Sequence, residues 1–375
     1  MNGRERLTRI FEGREADRPA LKLWGLKPGQ SMLHLSYRPV YDLAMEVSDV
    51  MAEAGSPFDI FFGTENRRLL SYEDKPVPGT SWVDRCTYVT LPGKKLRAVH
   101  RYSTVGEPGY DMEHLVKEPE DLEALLELPF RFSPPDMSEY QRLNAVVGNR
   151  GIVCFQLDHA AYAVSRIMGS ERFALMCMDE DERAVLREAV SIYSARIRAF
   201  AGAVLDTGVR VPFFGWVGPE LCIPPLARME EFEEFVFAPD QVLCDMLHNA
   251  GSRVWVHCHG KVSKLVGRFQ QMGVDVLNPL EPPKNGDVNL AETAKKYGKA
   301  IGLEGNIEIQ DILQCEEEAL REKIIRCVGA GAQSGRFILC PSAGYMEYPR
   351  PEDAYIRNLL TYLRCGLEEV CRYQG

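Results

Sequence analysis

The recurrence of short apolar runs between helical patterns is the feature that most restricts how this chain can fold. The runs are rich in β-branched and aromatic residues and cover residues 20–24, 59–63, 151–157, 209–215, 253–258, 274–277, 300–303 and 336–340. Amphipathic helical patterns separate the later runs at residues 239–250, 261–272, 290–297 and 316–329. This alternation is typical of βα units with a parallel sheet, and eight strands favour a (β/α)8 TIM-type barrel. A doubly wound sheet is the competing architecture, but no early strand is followed by the Gly-x-Gly-x-x-Gly of dinucleotide-binding folds.

Residues 85–104 interrupt this rhythm. Two β-rich stretches, 85–91 and 96–102, flank Pro92-Gly-Lys-Lys95 and predict a β-hairpin. With a helical pattern at 118–128, they predict an insertion between the second and third strands of the barrel. No linker rich in Gly, Pro or Ser divides the chain, so residues 1–375 are expected to form one α/β domain.

Composition excludes several classes of function. The chain has 375 residues, 45% of them hydrophobic, and 44 basic against 54 acidic residues give a net charge of −10. Without a basic run, nucleic acid is not an expected partner. No apolar run reaches the roughly 18 residues of a membrane span, and residues 1–6 lack the pattern of a secretory signal. Eleven cysteines without a Cys-x-x-Cys pair are expected to be reduced thiols in a cytoplasmic protein.

The stretch from Arg253 to Gly260 carries the strongest chemical signal. It is an apolar run that ends in His257-Cys-His259. Because side chains alternate along a strand, His257 and His259 are expected on one side and Cys258 on the other. Two imidazoles at a strand end suit a transition metal such as zinc, provided that a further ligand joins them. A substrate-binding or purely structural pair of histidines are the other interpretations.

Polar residues follow the predicted strands, where the active site of a barrel forms. As third metal ligands, the candidates are Glu281, Glu304 and Cys340, each of which could instead be structural. The candidate catalytic residues are Asp158, Glu304 and Tyr162, with the alternatives that Asp158 caps the following helix and that Tyr162 belongs to the core. Candidate substrate-binding residues are Trp216, Glu220, Asn306 and Arg166.

Several motifs, taken in order, resemble the uroporphyrinogen decarboxylase superfamily. They are Asn2-Gly-Arg-Glu-Arg6, Glu15-Ala-Asp-Arg-Pro19, Gly218-Pro-Glu220, residues 257–260, 273–281 and 302–306, and Phe337-Ile-Leu-Cys-Pro-Ser342. The resemblance runs over nearly the whole chain and implies a (β/α)8 barrel.

The resemblance implies one of two chemistries. True uroporphyrinogen decarboxylases use no cofactor and carry an Arg-Gln-Ala-Gly-Arg-Tyr signature after the first strand, where this chain has Trp24-Gly-Leu-Lys-Pro-Gly-Gln30. Without that arginine pair, binding of a substrate with many carboxylates is disfavoured. The other branch consists of zinc methyltransferases that move a methyl group between a corrinoid protein and a small acceptor.

The zinc ligands of that branch map imperfectly onto this chain. A His-x-Cys pair after the fifth strand falls on His257 and His259, so a histidine replaces the cysteine. The family's third ligand, a cysteine near the end of the eighth strand, falls near Ala343, and the nearest thiol is Cys340. The resemblance therefore implies a His/His/acid site, a shifted thiolate, or no metal.

We expect a zinc methyltransferase that acts on a small molecule with a corrinoid as methyl donor or acceptor. A corrinoid protein and a second copy of the chain are expected partners. The first alternative is a cofactor-free decarboxylase of a porphyrinogen or a smaller acid, with Asp158 stabilising a cationic intermediate. The second is a non-catalytic binder of a corrinoid or tetrapyrrole at an apolar mouth around Phe213, Phe214 and Trp216.

Overall fold

Eight parallel strands form one curled sheet, consistent with a TIM-type architecture, in a computed structural model that describes residues 1–30, 34–344 and 351–374. Within these residues the strands are β1 (Ala20–Leu21), β2 (Val50–Ala54), β3 (Leu70–Pro76), β4 (Trp82–Leu91), β5 (Lys94–Ser103), β6 (Tyr110–Glu113), β7 (Gly151–Gln156), β8 (Phe213–Val217), β9 (Arg253–His257), β10 (Val276–Asn278), β11 (Gly302–Ile307) and β12 (Phe337–Pro341). The parallel sheet has the order β1-β12-β11-β10-β9-β8-β7-β2. The predicted α/β class is therefore confirmed.

Helices follow most of the parallel strands. In the described residues they are α1 (Gly3–Phe11), α2 (Arg38–Val47), α3 (Pro119–Leu126), α4 (Ser138–Val147), α5 (Ala160–Met168), α6 (Ser170–Met176), α7 (Glu180–Leu205), α8 (Met229–Phe232), α9 (Ala238–Asn249), α10 (Val266–Met272), α11 (Leu290–Tyr297), α12 (Ile309–Gln314), α13 (Glu317–Ala332) and α14 (Asp353–Cys371). Side-chain caps fix several helix starts. Asn2 and Glu5 form a capping box at α1, and Asn289 caps α11.

Asp49 joins the two edge strands of the parallel sheet. The backbone N–H of Leu21 in β1 donates to Asp49 Oδ2 at 2.9 Å, and the N–H of Asp49 donates to the Leu21 carbonyl at 2.6 Å. Asp49 Oδ1 also accepts from Arg6 of α1 at 2.5 Å. This buried carboxylate therefore holds the start of β2 next to the end of β1, and we call this junction of Leu21 and Asp49 the seam. Through Arg6, the same carboxylate also holds α1 at the seam.

The two faces of the sheet have separate apolar cores. One cluster joins helix α1 to inward-facing residues of seven strands, among them Phe213, Trp255 and Ile338. The larger cluster packs the other face of the sheet against the helices. Leu7, Ile10 and Phe11 of α1 are fully buried, and each contributes roughly 1.5–3 kcal/mol by burial. Helix α1 thus covers the apolar side of the inner face, and the polar groups lie further along the strands.

The antiparallel region is larger than the predicted hairpin. Strands β4 and β5 pair over their whole length around the predicted turn, and β3 and β6 add to them, so the second sheet has the order β3-β4-β5-β6. In chain order this sheet falls between β2 and β7. The helix predicted at 118–128 is α3, which has a proline at its start and a capping box formed by Glu118 and Asp121.

The prediction of the second strand at residues 59–63 was wrong. Residues 59–63 form a turn, because Asp59 Oδ1 accepts hydrogen bonds from the N–H groups of Phe61 and Phe62. The strand lies instead at β2, which pairs with β7. The other seven predicted strands overlap β1 and β7–β12.

Two features bear on the predicted environment. None of the helices within residues 1–30, 34–344 and 351–374 combines the length and apolar character needed to cross a membrane. All eleven cysteines are free, and nine of them are buried.

Candidate active site

A polar layer lies directly beyond the apolar layer of the inner face. Side chains two residues apart on a strand share a face, so the residues that follow Ala20, Met51, Trp255, Val276, Gly302 and Ile338 by two positions also point inward. These polar residues are Lys22, Glu53, His257, Asn278, Glu304 and Cys340. The alternation of the strands therefore gathers groups from six sequence-distant segments.

Glu304 is the centre of a buried network in this layer. Its Oε1 accepts from Lys22 Nζ at 2.7 Å and from Asn278 Nδ2 at 2.9 Å, and its Oε2 accepts from Trp255 Nε1 at 2.9 Å. Burial alone would lower the pKa of Lys22, but Glu304 outweighs it and keeps the pKa above its ordinary value, so the ammonium stays charged. Since the carboxylate is completely buried and already accepts three hydrogen bonds, Glu304 anchors the site and is not a free catalytic base or metal ligand.

The network sets the tautomer of His257. Asn278 donates through Nδ2 to Glu304, so its Oδ1 must accept, and the atom 2.6 Å away is His257 Nδ1. Nδ1 of His257 therefore carries the hydrogen, and its Nε2 keeps a lone pair. Burial, followed by the nearby His259, lowers the pKa of His257 to about 3, against the weaker effect of the Asn278 hydrogen bond. The imidazole is accordingly neutral at physiological pH.

His259 has a carboxylate where His257 has an amide. Its Nδ1 lies 3.0 Å from Glu281 Oε1, and Glu281 Oε2 accepts from the Gly260 N–H at 2.9 Å. Burial alone lowers the pKa of His259, but Glu281 and the more distant Glu220 and Glu308 raise it above 6.5. Glu281, which was predicted as a third metal ligand, thus contacts Nδ1 of His259 and supports its ring.

The two imidazole rings lie close together in an edge-to-face arrangement. Their ring centroids are 4.4 Å apart and their planes are nearly perpendicular. Cys258, between them in sequence, is completely buried in the outer core, as the strand alternation predicts. Both rings use Nδ1 for a supporting partner, which is the arrangement found behind metal-ligating histidines.

Further carboxylates lie near His259. Glu308 is buried, its Oε2 accepts from Asn285 Nδ2 at 2.9 Å, and its Oε1 has no partner among the described residues. Glu220, predicted to bind substrate, is half-buried, and its Oε2 likewise has no partner there. Burial raises the pKa of Glu308. Both carboxylates act electrostatically on His259 and help to raise its pKa.

The described side chains supply only some of the ligands that a zinc site requires. His257 and His259 offer two imidazole nitrogens, but within residues 1–30, 34–344 and 351–374 no three His, Cys, Asp or Glu side chains are placed to hold one metal ion. Cys340, the predicted thiolate ligand, is completely buried, and burial followed by the charge of Glu304 raises its pKa well above 9. Cys340 therefore belongs with Lys22 and Glu304, contrary to the prediction that it joins the histidines.

A cavity of about 280 Å³ opens beside this network. Its lining includes Lys22, Trp24 and Glu53. The Trp24 ring lies over the ring of His257, with centroids 4.7 Å apart, so cavity and histidine share one wall. Glu53 is exposed to the cavity, and the protein around its carboxyl raises its pKa by partial desolvation, partly offset by Lys22.

Three predicted residues lie together in another cavity. Asp158, Tyr162 and Arg166 line a space of about 570 Å³ between α5 and the antiparallel sheet. The helix cap predicted as an alternative for Asp158 is provided by its neighbour, since His159 Nδ1 accepts from the Tyr162 N–H. Asp158 is exposed to the cavity, and the protein around its carboxyl raises its pKa by partial desolvation, opposed by Arg166. None of the histidine-pair residues lines this cavity.

Two substrate-binding predictions conflict with the structure. Trp216 is completely buried, and its Nε1 donates to Asp240 Oδ2 of α9 at 3.1 Å, so it faces the helix layer. The expected apolar mouth around Phe213, Phe214 and Trp216 does not form, because Phe213 belongs to the inner core and Phe214 to the outer one. Asn306 is half-buried, and its Nδ2 donates to the Leu280 carbonyl, so it ties two strand ends together.

The sequence reasoning missed Lys22, Trp24, Asn278 and Glu308. A signal existed for the first two, because Ala20, Lys22 and Trp24 alternate with leucines and must share a face. The network around Asn278 depends on contacts between distant segments, which a single sequence does not reveal.

Comparisons with known proteins found a matching family and a protein of similar structure. A family model described as uroporphyrinogen decarboxylase (URO-D) matches residues 160–354, which is 195 of the 375 residues. A methyltransferase from Methanosarcina mazei has a similar structure, with a TM-score of 0.59 and 12% identity, over 97% of this chain and 98% of that chain. At this identity the likeness shows a common fold. No curated protein matches the chain.

Proposed function

Because this chain belongs to the uroporphyrinogen decarboxylase (URO-D) family, we propose that it is an enzyme that transfers a methyl group between a corrinoid carrier and a small acceptor. A zinc ion held by His257 and His259 would activate the acceptor. The observation that carries the proposal is the pair of imidazoles 4.4 Å apart, each with Nδ1 engaged and Nε2 left for a ligand. The methyltransferase with a similar fold supports the reaction class.

The protein's own part in this reaction is to position groups before substrate arrives. Asn278 holds the Nδ1–H of His257, and Glu281 holds Nδ1 of His259. When bound, zinc would lower the pKa of an acceptor thiol or of water and make it nucleophilic at neutral pH. Trp24 packs against His257 and shields it from water on that side.

Beyond His257 and His259, the zinc ion would bind water and substrate. Catalytic zinc sites keep a position for water or substrate. With the nitrogen of His259 in place of one of the family's sulfur ligands, the site would be harder, which favours an oxygen or nitrogen acceptor.

Metal analysis tests this proposal. The purified protein is loaded with zinc, dialysed and compared with a His257→Ala/His259→Ala double variant. The matched control is His100→Ala/His114→Ala, which removes two histidines from the other cavity. We expect near-stoichiometric zinc in the wild type and the control, and little in the site variant. Equal zinc in all three proteins would remove the basis of the proposal.

An activity assay then addresses the reaction. Methylcobalamin serves as the donor, candidate acceptors are added singly, and loss of the methyl–cobalt absorption is followed. Turnover that disappears in the His257→Ala/His259→Ala variant supports methyl transfer. Corrinoid binding without turnover, unaffected by the double substitution, supports the non-catalytic binder instead.

A decarboxylase is the second candidate. It is favoured by Asp158, because this residue lines the cavity of about 570 Å³ and its carboxylate would stabilise a cation that develops there. It predicts CO2 release from a carboxylated substrate that is lost in Asp158→Asn and retained in His257→Ala.

A further inference from the structure

The cavity between α5 and the antiparallel sheet has two chemically different walls. Strand residues such as Thr87, Ala98 and His100 line one wall. The loop that contains Phe58 and Phe61 lines the other, together with α5. Its volume of about 570 Å³ falls in the range of small-molecule sites, roughly 300–1,000 Å³.

Most of the charged groups in this cavity are already paired. Asp59 Oδ1 accepts two backbone hydrogen bonds from its own turn. Asp111 lies 2.7 Å from His100 Nδ1, and Glu113 pairs with Arg97 and Lys117. His114 Nδ1 contacts the Arg166 carbonyl at 3.2 Å. These groups therefore shape the walls and are not free for a ligand.

On α5 and just before it, three polar side chains remain. Among the described residues, Asp158, Tyr162 and Arg166 have no side-chain hydrogen bond or ion pair, although all three line the cavity. Tyr162 and Arg166 are four residues apart on α5 and share one side of the helix, whereas Asp158 lies just before the N-cap residue His159. Asp158 and Arg166 influence each other electrostatically but do not meet as an ion pair.

We propose that this cavity binds an amino acid or a similar small zwitterion, with Asp158 facing its ammonium group and Arg166 its carboxylate. Two opposite charges that stay apart in one cavity match a ligand that carries both. The guanidinium suits a carboxylate because it can donate two parallel hydrogen bonds. This site goes beyond the proposed function and does not depend on the histidine pair.

Several other residues that line the cavity are apolar and would contact an apolar part of the ligand. Phe58, Ile60 and Phe61 lie on one side, with Leu115 and Ile167 nearby. Arg166 lies over the Tyr162 ring at 5.7 Å, which holds the guanidinium toward the cavity. An amino acid with a hydrophobic side chain therefore fits better than a small polar one.

Ligand screening followed by calorimetry tests the site. Each proteinogenic amino acid is first screened for an increase in melting temperature. The best ligand is then titrated by calorimetry, alongside two analogues that lack either its carboxylate or its ammonium group. The same titrations use Asp158→Asn, Arg166→Gln, and the exposed matched controls Asp245→Asn and Arg357→Gln.

We expect affinity to fall by at least about tenfold in Asp158→Asn and in Arg166→Gln, since each loses a charged hydrogen bond. The analogue without a carboxylate should be insensitive to Arg166→Gln, and the analogue without an ammonium to Asp158→Asn. Unchanged binding in His257→Ala/His259→Ala separates this site from the proposed zinc site. If no amino acid raises the melting temperature, or if both cavity variants bind as tightly as the wild type, the inference is overturned.

Discussion

A buried histidine with its Nδ1 hydrogen-bonded has one nitrogen left for chemistry. His257 is in this state, because Asn278 accepts from Nδ1 and is itself held by Glu304. Its low pKa makes it a poor proton acceptor at neutral pH but a ready metal ligand, since imidazole binds metals in the neutral form. At the scale of single residues, the site is therefore built to present a lone pair.

The pKa of His257 predicts a pH dependence of stability in the metal-free protein. In the unfolded chain this histidine takes up a proton near pH 6.5, whereas in the folded protein it does so only near pH 3. The unfolded state therefore binds more protons in this window, and stability falls as the pH is lowered through it, by up to about 1.4 kcal/mol per pH unit. Urea unfolding of wild type and His257→Gln should show this slope in their difference. A flat difference would contradict the buried neutral state.

The Lys22–Glu304 pair gives a second prediction. Lys22→Met leaves a buried carboxylate without its cation and should cost about 3–5 kcal/mol of unfolding free energy. The double variant Lys22→Met/Glu304→Gln should recover part of this loss, because no lone charge remains. Urea denaturation measures both, with exposed Lys264→Met as the control. A Lys22→Met protein as stable as the control would show that the pair is not coupled.

The sequence predicted some of these residues and not their partners. Strand alternation was enough to place His257 and His259 on one side and Cys258 on the other. It could not tell that Glu281 supports His259 from behind or that Cys340 pairs with Glu304, because both contacts join segments that are distant in sequence.

At the scale of elements, the seam between β1 and β2 shows how a single side chain replaces a strand ladder. Asp49 bonds to Leu21 through both its backbone and its carboxylate and also holds Arg6 of α1. Strand β2 was missed in the sequence because it contains the charged residue Glu53, whereas the more apolar residues 59–63 form a turn around Asp59. Apolar content alone therefore misassigned β2, the strand that starts at the seam.

This seam can be tested by substitution. Asp49→Ala leaves the Leu21 N–H unpaired and removes a partner of the buried Arg6, so we expect a loss of about 3–5 kcal/mol in unfolding free energy. Asp42→Ala, which removes an exposed ion pair with Arg38, should cost no more than about 0.5 kcal/mol. Equal losses in the two variants, measured by urea denaturation, would mean that Asp49 does not hold the seam.

At the scale of the whole molecule, the polar groups expected at one barrel mouth fall into two places. Lys22, His257 and His259 lie at the inner face of the parallel sheet, and Asp158 and Arg166 lie against the antiparallel sheet. Periodicity was enough to predict seven of the eight parallel strands. The division into two sites was not predictable, because it depends on where the antiparallel sheet packs. A corrinoid protein and a second copy of the chain stay predicted partners.

X-ray absorption at the zinc edge tests the central claim most directly, because it reports the ligands themselves. The zinc-loaded wild type is compared with the His257→Ala/His259→Ala variant. The predicted result is a shell of nitrogen or oxygen at about 2.0–2.1 Å with the outer scattering of imidazole, absent from the variant. No bound zinc, or a sulfur shell near about 2.3 Å, would contradict a zinc site held by His257 and His259.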